Sequence, residues 1–482
     1  MFFNKNRMDY INMKKFNKDK YLKKLRFKKY KRYLYIGIPC ILVLLIGIYF
    51  AYLKFSVFKE EEVVRTTVGD FISGDDVIGA YIDGEYSNTI PGKNDGYFVK
   101  SVSCDNNASA SWNNDSWGIV LTNLTKRTKC NVYFETKKPS LNEAITTAMS
   151  NNPSMFASND ADKNVRYIGA DPSNYVYFNC SDYNNPTADT CELWRIIGVF
   201  NNVTKSDGSK ENLVKIIRVD SLGSYSWDYK KKGVGTSTKD YGSNDWSDSQ
   251  LMMMLNPTSY LKSGYTNSND IISSGSQQLY SKMGSYYNGT KGCSPAAIAS
   301  GASFSCTEVD FTSTGLKNDT TRNAIEEGVW NLGGTDAYDT STASMFYTAE
   351  RGTTVYTGRP TTWTGKIGLM YPSDYGYATS GGTTKDRAAC LAKELHNWAS
   401  SEFSDCKGND YLLDTNNWQW TLAPYSALAL DVFGVAAHGS VSYGDASDTM
   451  LVRPVLFLKS NISIKAGTGE SSNPYQLKLG ID

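Results

Sequence analysis

The sequence predicts an α+β fold that begins with one N-terminal transmembrane helix, continues with a small all-β, sandwich-like module and ends with a large domain rich in antiparallel strands and loops. Three observations support this prediction. The run at residues 33–53 contains no charged residue. Beyond it, short segments rich in aromatic and β-branched residues alternate with turn residues, which is typical of strands. Eight of the nine cysteines also lie beyond the run, in neighbouring pairs.

The apolar run predicts a membrane anchor, because about 20 apolar residues of helix span the hydrocarbon core of a bilayer. Residues 1–32 carry 13 Lys or Arg against two acids, and positive flanks stay cytoplasmic. A cleaved signal peptide would have a shorter apolar run and a small-x-small cleavage site. We therefore predict a basic cytoplasmic tail at 1–32, a transmembrane helix at 33–53 and a stalk at 54–62. The predicted location is the cell membrane, with a single pass and the C-terminal part outside the cell.

The basic tail also suggests a partner. Its lysines are interleaved with Tyr, Phe and Leu, a composition that can lie on anionic lipid or bind nucleic acid. Beside a membrane span we favour the lipid, so we expect the membrane as a partner and no nucleic acid.

The cysteines indicate an oxidising compartment. Cys40 lies inside the apolar run, and the other eight lie beyond it, as expected for disulfides formed outside the cytoplasm. Other connectivities are open, but sequential pairing is favoured because each neighbouring pair brackets one hairpin or loop. The predicted pairs are Cys104 with Cys130, Cys180 with Cys191, Cys293 with Cys306, and Cys390 with Cys406. Zinc is disfavoured because CxxC is absent and the only histidines are His396 and His438.

Residues 63–138 are predicted to form the small β module. The segment VIGAYIDGEYSNTI alternates around Asp83 and Gly84, which is a hairpin signal. The segments GYFVKSVSC, SWGIVLTNL and CNVYFE also have strand composition.

Residues 139–482 are predicted to form the large domain, with a leading helix. Ser140 and Glu143 have the spacing of a capping box in front of LNEAITTAM. Successive strands are predicted from YVYFN, LWRIIGVF and LVKIIRV, and a final group from WQWTL, LALDVFGVAAHG and RPVLFLKS. Helix-compatible segments occur near 250–255 and 386–400, and long polar loops separate them.

Several of these segments together resemble one family. The series YVYFNC…CELWRIIGVF, LVKIIRVDSLGSYSWD, NDWSDSQLMMMLN and WQWTLAPYS…VRPVLFLKSNISI is similar to the C-type-lectin-like domains of bacterial surface proteins. That group also includes the formylglycine-generating sulfatase-modifying enzymes. The resemblance covers roughly residues 160–480. It implies a twisted antiparallel sheet pair with flanking helices and long loops, in which the strand VRPVLFL lies near the early strands.

The family's chemistry does not carry over to matching residues. The enzymes use two reactive cysteines, whereas here every cysteine beyond the apolar run has a neighbour to pair with. Calcium-dependent lectins use Glu-Pro-Asn or Gln-Pro-Asp, and neither tripeptide occurs in residues 160–482. His438 and Ser440 lack a G-x-S-x-G nucleophile motif. The acid pairs Asp245/Asp248 and Asp445/Asp448 could bind a cation but are more typical of solvated turns. We therefore predict no catalytic residue, no metal and no cofactor.

Aromatic residues in polar loops are the candidate ligand contacts, because such rings give large contact areas at little entropic cost. The candidates come from YSWDYKKK and YPSDYGYA. They are Tyr225, Trp227, Tyr229, Tyr371, Tyr375 and Tyr377.

The sequence thus predicts a membrane-anchored surface protein of bacterial type whose outer part binds an extracellular protein or glycan, in adhesion or recognition. Two alternatives stay open. One is an extracytoplasmic enzyme of the formylglycine-generating type or a hydrolase, and the other is a structural envelope protein. Fold alone does not decide among them.

Overall fold

A computed structural model describes most of the chain beyond residue 76. The described residues are 77–105, 107, 109–122, 128–229, 235–239, 242–260, 284–294 and 307–479. The predicted tail, membrane span and stalk, with Cys40, lie outside them. The chain divides into two compact units between Lys137 and Lys138, and each is described by itself.

The first unit is built from strands. They are β1 (Val77–Ile82), β2 (Glu85–Ser87), β3 (Tyr97–Cys104), β4 (Ser109–Asn113), β5 (Gly118–Thr122) and β6 (Lys129–Thr136). Four of them form a sheet in the order β2-β1-β6-β3, and β4 pairs with β5 as a separate hairpin. Strands β1 and β6 are parallel, and β3 and β6 are antiparallel.

Local signals account for much of this unit. Asp83 (φ 51°) and Gly84 (φ 92°) both have left-handed backbones between β1 and β2, as a type I′ turn requires, so the predicted hairpin is confirmed. The buried face of the sheet carries Val132 and Phe134, and the ring of Trp112 meets Phe134 edge-on at 5.5 Å. The disulfide between Cys104 and Cys130 joins β3 to β6.

The second unit contains the remaining strands and all helices of the described residues. Its strands are β7 (Phe156–Ala157), β8 (Val165–Tyr167), β9 (Tyr175–Phe178), β10 (Glu192–Thr204), β11 (Lys210–Arg218), β12 (Ser224–Ser226), β13 (Lys291–Ser294), β14 (Thr307–Asp310), β15 (Gly328–Asn331), β16 (Thr362–Gly365), β17 (Ile367–Gly368), β18 (Gln419–Pro424), β19 (Asp431–Val435), β20 (Val441–Asp445), β21 (Thr449–Leu451), β22 (Val455–Leu458), β23 (Ser463–Ala466) and β24 (Tyr475–Lys478).

Its helices are short. They are α1 (Leu141–Asn151), α2 (Gln250–Leu255), α3 (Ser285–Asn288), α4 (Asp319–Ala324), α5 (Ala343–Glu350), α6 (Pro372–Ala378) and α7 (Arg387–Leu391). The capping box that opens α1 is confirmed, because Ser140 and Glu143 bond each other's backbone N–H groups.

Two sheets organise this unit. In the larger one the strands run β17-β22-β11-β10-β9-β24-β23, with β7 and β8 attached through β10. The smaller one runs β12-β21-β18-β19-β20. Late strands lie beside early ones, since β22 pairs with β11 and β24 pairs with β9. The two ends of the unit therefore meet in one sheet.

Six of the described cysteines pair as predicted. Besides the bond in the first unit, Cys180 bonds Cys191 and Cys390 bonds Cys406. Sequence separations of 11 and 16 residues mean that each closes a local loop. Cys306, of the fourth predicted pair, lies outside the described residues.

The predicted fold class, α+β with a transmembrane helix, is corrected to a predominantly β fold. Strands dominate the described residues, and the longest helix there has 11 residues. Within residues 77–479, as far as they are described, no helix combines the length and apolar character needed to cross a bilayer. The segment 386–400, which we expected to be helical, yields only the five residues of α7 and a 3-10 turn at Leu395–Ala399.

A buried ionic network joins three elements of the second unit. Asp374 of α6 accepts hydrogen bonds from Arg166 Nη1 of β8 at 2.8 Å and from Lys215 Nζ of β11 at 2.6 Å. Arg166 Nε also donates to Asp160 at 2.7 Å. All four side chains are almost fully buried. Burial acts to raise the pKa of Asp374, but the charges of Lys215 and Arg166 outweigh it, and the pKa falls to about 2.

Replacing the central acid should destabilise the protein strongly. Asp374→Asn would leave Arg166 and Lys215 buried with half of their counter-charge gone, so we expect the free energy of unfolding to fall by about 3–5 kcal/mol. Urea denaturation measures this change. The control is Asp171→Asn, whose acid pairs with Arg195 and is 68% exposed, and which should change stability by less than about 1 kcal/mol. Equal effects of the two variants would contradict the role of the network.

Candidate functional site

A cleft of about 190 Å³ opens beside this network in the second unit. We call it the polar cleft. Aromatic rings and Lys215 form its floor, and the segments around Asp162, Asn202, Asn331 and Arg351 form its rim. These side chains are positioned by strands β10, β11, β15 and β22 and by helices α5 and α6, or by the residues beside them.

The floor of the cleft consists of the buried ammonium group of Lys215 and the aromatic rings around it. The Nζ atom of Lys215 lies 4.5 Å from the ring centre of Tyr371 and 4.7 Å from that of Phe200. The rings of Trp330 and Phe457 follow at 5.8 and 5.7 Å. These distances are typical of cation–π contacts. Burial lowers the pKa of Lys215 to about 8, and the charge of Asp374 limits the fall.

Arg351 and Asp162 form the charged side of the rim. The guanidinium group of Arg351 lies 3.3 Å from the ring centre of Tyr347, and its Nε is 3.4 Å from Asp162 Oδ2. The Tyr347 hydroxyl donates to the same carboxylate oxygen at 2.5 Å. Arg351 Nη1 donates to the backbone oxygen of Tyr347. Arg351 Nη2 and Asp162 Oδ1 have no hydrogen-bond partner among the described residues, so both are available to a ligand.

The rest of the rim has an unusual backbone. Lys163 (φ 56°) and Asn202 (φ 54°) are left-handed although neither is glycine, and β10 is bulged between Phe200 and Val203. The amide of Asn201 stabilises this arrangement by donating to the backbone oxygens of Asp162 and Lys163. Strained backbone and bulges concentrate at binding sites.

Two amide side chains complete the rim. Those of Asn202 and Asn331 form no hydrogen bond with the described residues, and each offers two donor hydrogens and one acceptor oxygen. The backbone of Asn331 is fixed, because its N–H donates to the Tyr371 hydroxyl at 3.0 Å and its carbonyl accepts from that hydroxyl at 2.9 Å. The cleft thus presents donors and acceptors above an apolar, aromatic floor, which suits a small neutral molecule with several hydroxyl groups.

Glu350 lies directly behind the rim, next to Arg351. It is fully buried and accepts hydrogen bonds from the backbone N–H and the hydroxyl of Ser373. Burial raises the pKa of Glu350 to about 7, while Arg351, 3.3 Å away, opposes the rise.

The structure places the six predicted aromatic residues mainly in the core. Tyr371 lies on the floor of the polar cleft, and Tyr225 is half-buried. The other four are buried elsewhere, and they are Trp227, Tyr229, Tyr375 and Tyr377. Trp227 Nε1 donates to a backbone oxygen of β18 and the Tyr375 hydroxyl to that of Gly439. These four side chains do not line the polar cleft.

Sequence reasoning did not identify the residues of the rim. Asn202, Asn331 and Arg351 lie in segments that look like ordinary strand ends and turns. The one usable signal was the pair Asn201-Asn202 inside an otherwise apolar strand, because asparagine tolerates a left-handed backbone and therefore marks a bulge.

The other polar candidates do not join the polar cleft. His438 Nδ1 lies 3.2 Å from the Ser440 hydroxyl. Asp431 and Asp445 are opposite each other on β19 and β20, and burial together with Asp445 raises the pKa of Asp431 to about 7. Among the described residues, no three His, Cys, Asp or Glu side chains are grouped so that they could hold a metal ion.

Comparison with known proteins adds no relative. No protein-family model, curated protein or solved structure matches the chain. The polar cleft is therefore interpreted from its own geometry.

Glu350 should make stability depend on pH. A carboxyl group whose pKa rises from 4.5 to about 7 on folding stabilises the folded state below pH 4.5, and this contribution is lost as the pH rises to 7. Relative to Glu350→Gln, the wild-type protein should therefore lose about 3 kcal/mol of unfolding free energy between pH 4.5 and pH 7.5.

Urea denaturation of both proteins at the two pH values measures this difference. Asp410 and Asp431, whose pKa values are raised to about 6 and about 7, titrate in both proteins and therefore cancel. A difference between the two proteins that is the same at both pH values would contradict the assignment.

Proposed function

We propose that this chain is an extracytoplasmic recognition protein and that the polar cleft binds one sugar unit of a glycan. The observation that carries the proposal is the unpaired set of donors and acceptors on the rim, at Arg351, Asp162, Asn202 and Asn331. Sugar hydroxyls donate and accept at once, so they can satisfy such a mixed set. The rings of the floor are at most 6% exposed, so the rim groups would supply most of the contact with a sugar.

The size of the cleft favours a sugar over a protein ligand. Pockets for drug-sized molecules measure roughly 300–1,000 Å³, and a cleft of about 190 Å³ holds something smaller. Protein interfaces depend on large side chains buried at the centre of an extended contact, which a narrow cleft does not provide. The terminal sugar unit of a glycan can enter such a cleft without the rest of the glycan.

The disulfides support the proposed extracytoplasmic location. Three of them lie in the described residues, and structural disulfides persist in oxidising compartments.

We further propose the C-type-lectin-like relationship expected from the motifs. The pairing of β22 with β11 and of β24 with β9 supports it, because it brings the two ends of the second unit together.

Alkylation should separate this proposal from the thiol-enzyme alternative. All six described cysteines outside the β13–β14 hairpin are paired, so iodoacetamide applied to the unfolded but unreduced protein should leave them unmodified. Peptide mass spectrometry measures this, and a reduced sample serves as the positive control. Labelling of Cys180, Cys191, Cys390 or Cys406 without reductant would support a reactive thiol instead.

Removing the Asn331 amide should weaken glycan binding. Asn331→Ala deletes a donor and an acceptor that the fold itself does not use, so we expect affinity to fall about tenfold, the equivalent of about 1.4 kcal/mol, with an unchanged melting temperature. The measurement is a glycan array followed by calorimetric titration of the glycans that bind.

Asn417→Ala is the matched control, since Asn417 is exposed and does not line the cleft. It should bind like the wild type. No glycan binding by the wild-type protein, or equal binding by the wild type and Asn331→Ala, would refute the proposal and favour the structural envelope role.

A further inference from the structure

Three half-buried tyrosines of the second unit form a cluster that does not line the polar cleft. The rings of Tyr425 and Tyr443 are parallel and stacked, with their centres 4.1 Å apart. The ring of Tyr338 is perpendicular to both, and its centre lies 4.9 Å from that of Tyr443 and 6.2 Å from that of Tyr425. We call Tyr338, Tyr425 and Tyr443 the tyrosine cluster.

The stack leaves one face of the Tyr425 ring without an aromatic neighbour. The buried ring of Phe433 lies 5.8 Å from Tyr425 and 6.4 Å from Tyr443, so it packs against the side of the stack. A ring over the outer face of Tyr425 would be much farther from Tyr443 than from Tyr425, and neither Phe433 nor Tyr338 has that position. Within the described part of the chain, no Lys or Arg lies over this ring either.

The fold holds Tyr425 in a fixed position beside an acid. Its N–H donates to the backbone oxygen of Asp431 at 2.9 Å. Thr335 pairs with Tyr425 in a parallel β-bridge, which brings the exposed Asp336 close to the ring. Burial, the neighbouring Tyr443 and the charge of Asp336 raise the pKa of Tyr425. A ring held in this way loses little conformational entropy on binding.

The residues around the tyrosine cluster are acidic. Asp336 and Asp339 precede and follow Tyr338 in the chain. Asp445 is two residues from Tyr443 on β20, and therefore lies on the same face of the strand. These three acids are exposed, and none forms an ion pair with a Lys or Arg of the described residues. The cluster thus combines aromatic rings with negative charge.

Two arginines elsewhere in the second unit show which group such a combination binds. The guanidinium group of Arg195 lies 3.9 Å from the ring centre of Tyr175, and that of Arg351 lies 3.3 Å from the ring centre of Tyr347. In both cases an aspartate that accepts from the tyrosine hydroxyl is also an ion-pair partner of the arginine, at 3.3 and 3.4 Å. The tyrosine cluster offers a ring and acids, and its arginine would come from a partner.

The composition of the surface favours a protein segment over a metal ion or an isolated small cation. The described residues contain no grouping of three His, Cys, Asp or Glu that could hold a metal. Leu428, in the turn between β18 and β19, is 44% exposed and offers apolar contact close to Tyr425 in the chain. Tyrosine is enriched at the centres of protein interfaces. A guanidinium group is flat and weakly hydrated, so it stacks on rings better than an ammonium group does.

We infer that the tyrosine cluster is a docking surface for an arginine-rich segment of a partner protein, in which one guanidinium group stacks on the outer face of Tyr425 and pairs with Asp336. The inference does not depend on the sugar proposed for the polar cleft, because the two sets of residues are different. It gives the second unit a protein partner in addition to its glycan.

Peptide probes test the inference on the full-length protein. The probes are hexa-arginine, hexalysine and hexacitrulline, titrated by calorimetry at low salt, where surface charges are least screened. Citrulline has nearly the shape of arginine without its charge. We expect hexa-arginine to bind, hexalysine to bind more weakly because an ammonium group cannot stack flat on a ring, and hexacitrulline not to bind.

Two pairs of variants locate the binding. Tyr425→Leu should weaken hexa-arginine binding about two- to fivefold, whereas Tyr425→Phe keeps the ring and should bind like the wild type. Asp336→Asn should weaken binding to a similar extent, whereas Asp189→Asn, the same change at another exposed acid, should have no effect. Melting temperatures verify folding, and if Tyr425→Leu does not fold, the two aspartate variants decide.

Four results would overturn the inference. The first is equal binding of hexa-arginine with hexalysine or hexacitrulline. The second is an equal loss in Asp336→Asn and Asp189→Asn, which would show attraction to overall charge alone. The third is wild-type binding by a folded Tyr425→Leu variant. The fourth is binding of a neutral glycan that depends on Tyr425 but not on Asp336, without binding of hexa-arginine, which would make the cluster a sugar surface.

Discussion

The interaction on which the second unit depends is the buried carboxylate of Asp374. It holds Arg166 of β8 and Lys215 of β11, which lie 208 and 159 residues away in sequence, at 2.8 and 2.6 Å. Three elements distant along the chain are therefore fixed relative to one another by one side chain. Because each of these charges is buried, leaving any one unpaired would be costly, and the observed arrangement of β8, β11 and α6 pairs all three.

The same carboxylate organises the polar cleft. Asp374 Oδ2 accepts a hydrogen bond from the backbone N–H of Tyr371, and the Tyr371 hydroxyl bonds both backbone groups of Asn331. On the other side, Asp374 holds Lys215 under the floor rings. The position of a rim amide and the position of the floor cation are thus set by one group. A site built in this way loses little conformational entropy on binding.

The sequence predicted the features that local chemistry determines. The turn at Asp83 and Gly84, the capping box at Ser140 and the three described disulfides depend on residues close together in the chain. The polar cleft could not be predicted in this way, because Arg166, Lys215 and Asp374 become neighbours only through sheet pairing. The aromatic residues show the same limit: Trp227 and Tyr375 occur in polar segments, yet long-range hydrogen bonds to the β18–β19 region and to Gly439 place them in the core.

A buried ionic network is a poor means of gaining stability, since well-packed apolar residues of similar volume often stabilise a protein as much or more. Its advantage here is geometric. The planar guanidinium of Arg166 bonds Asp160 and Asp374 in fixed directions, and an apolar core would not orient the Tyr371 hydroxyl toward the backbone of Asn331. The left-handed residues of the rim are held separately, since Lys163 O accepts from the Asn201 amide and Asn202 N–H donates to Asn212. The network therefore supports the polar cleft, and its desolvation cost accompanies a rigid arrangement of the floor cation and the Asn331 backbone.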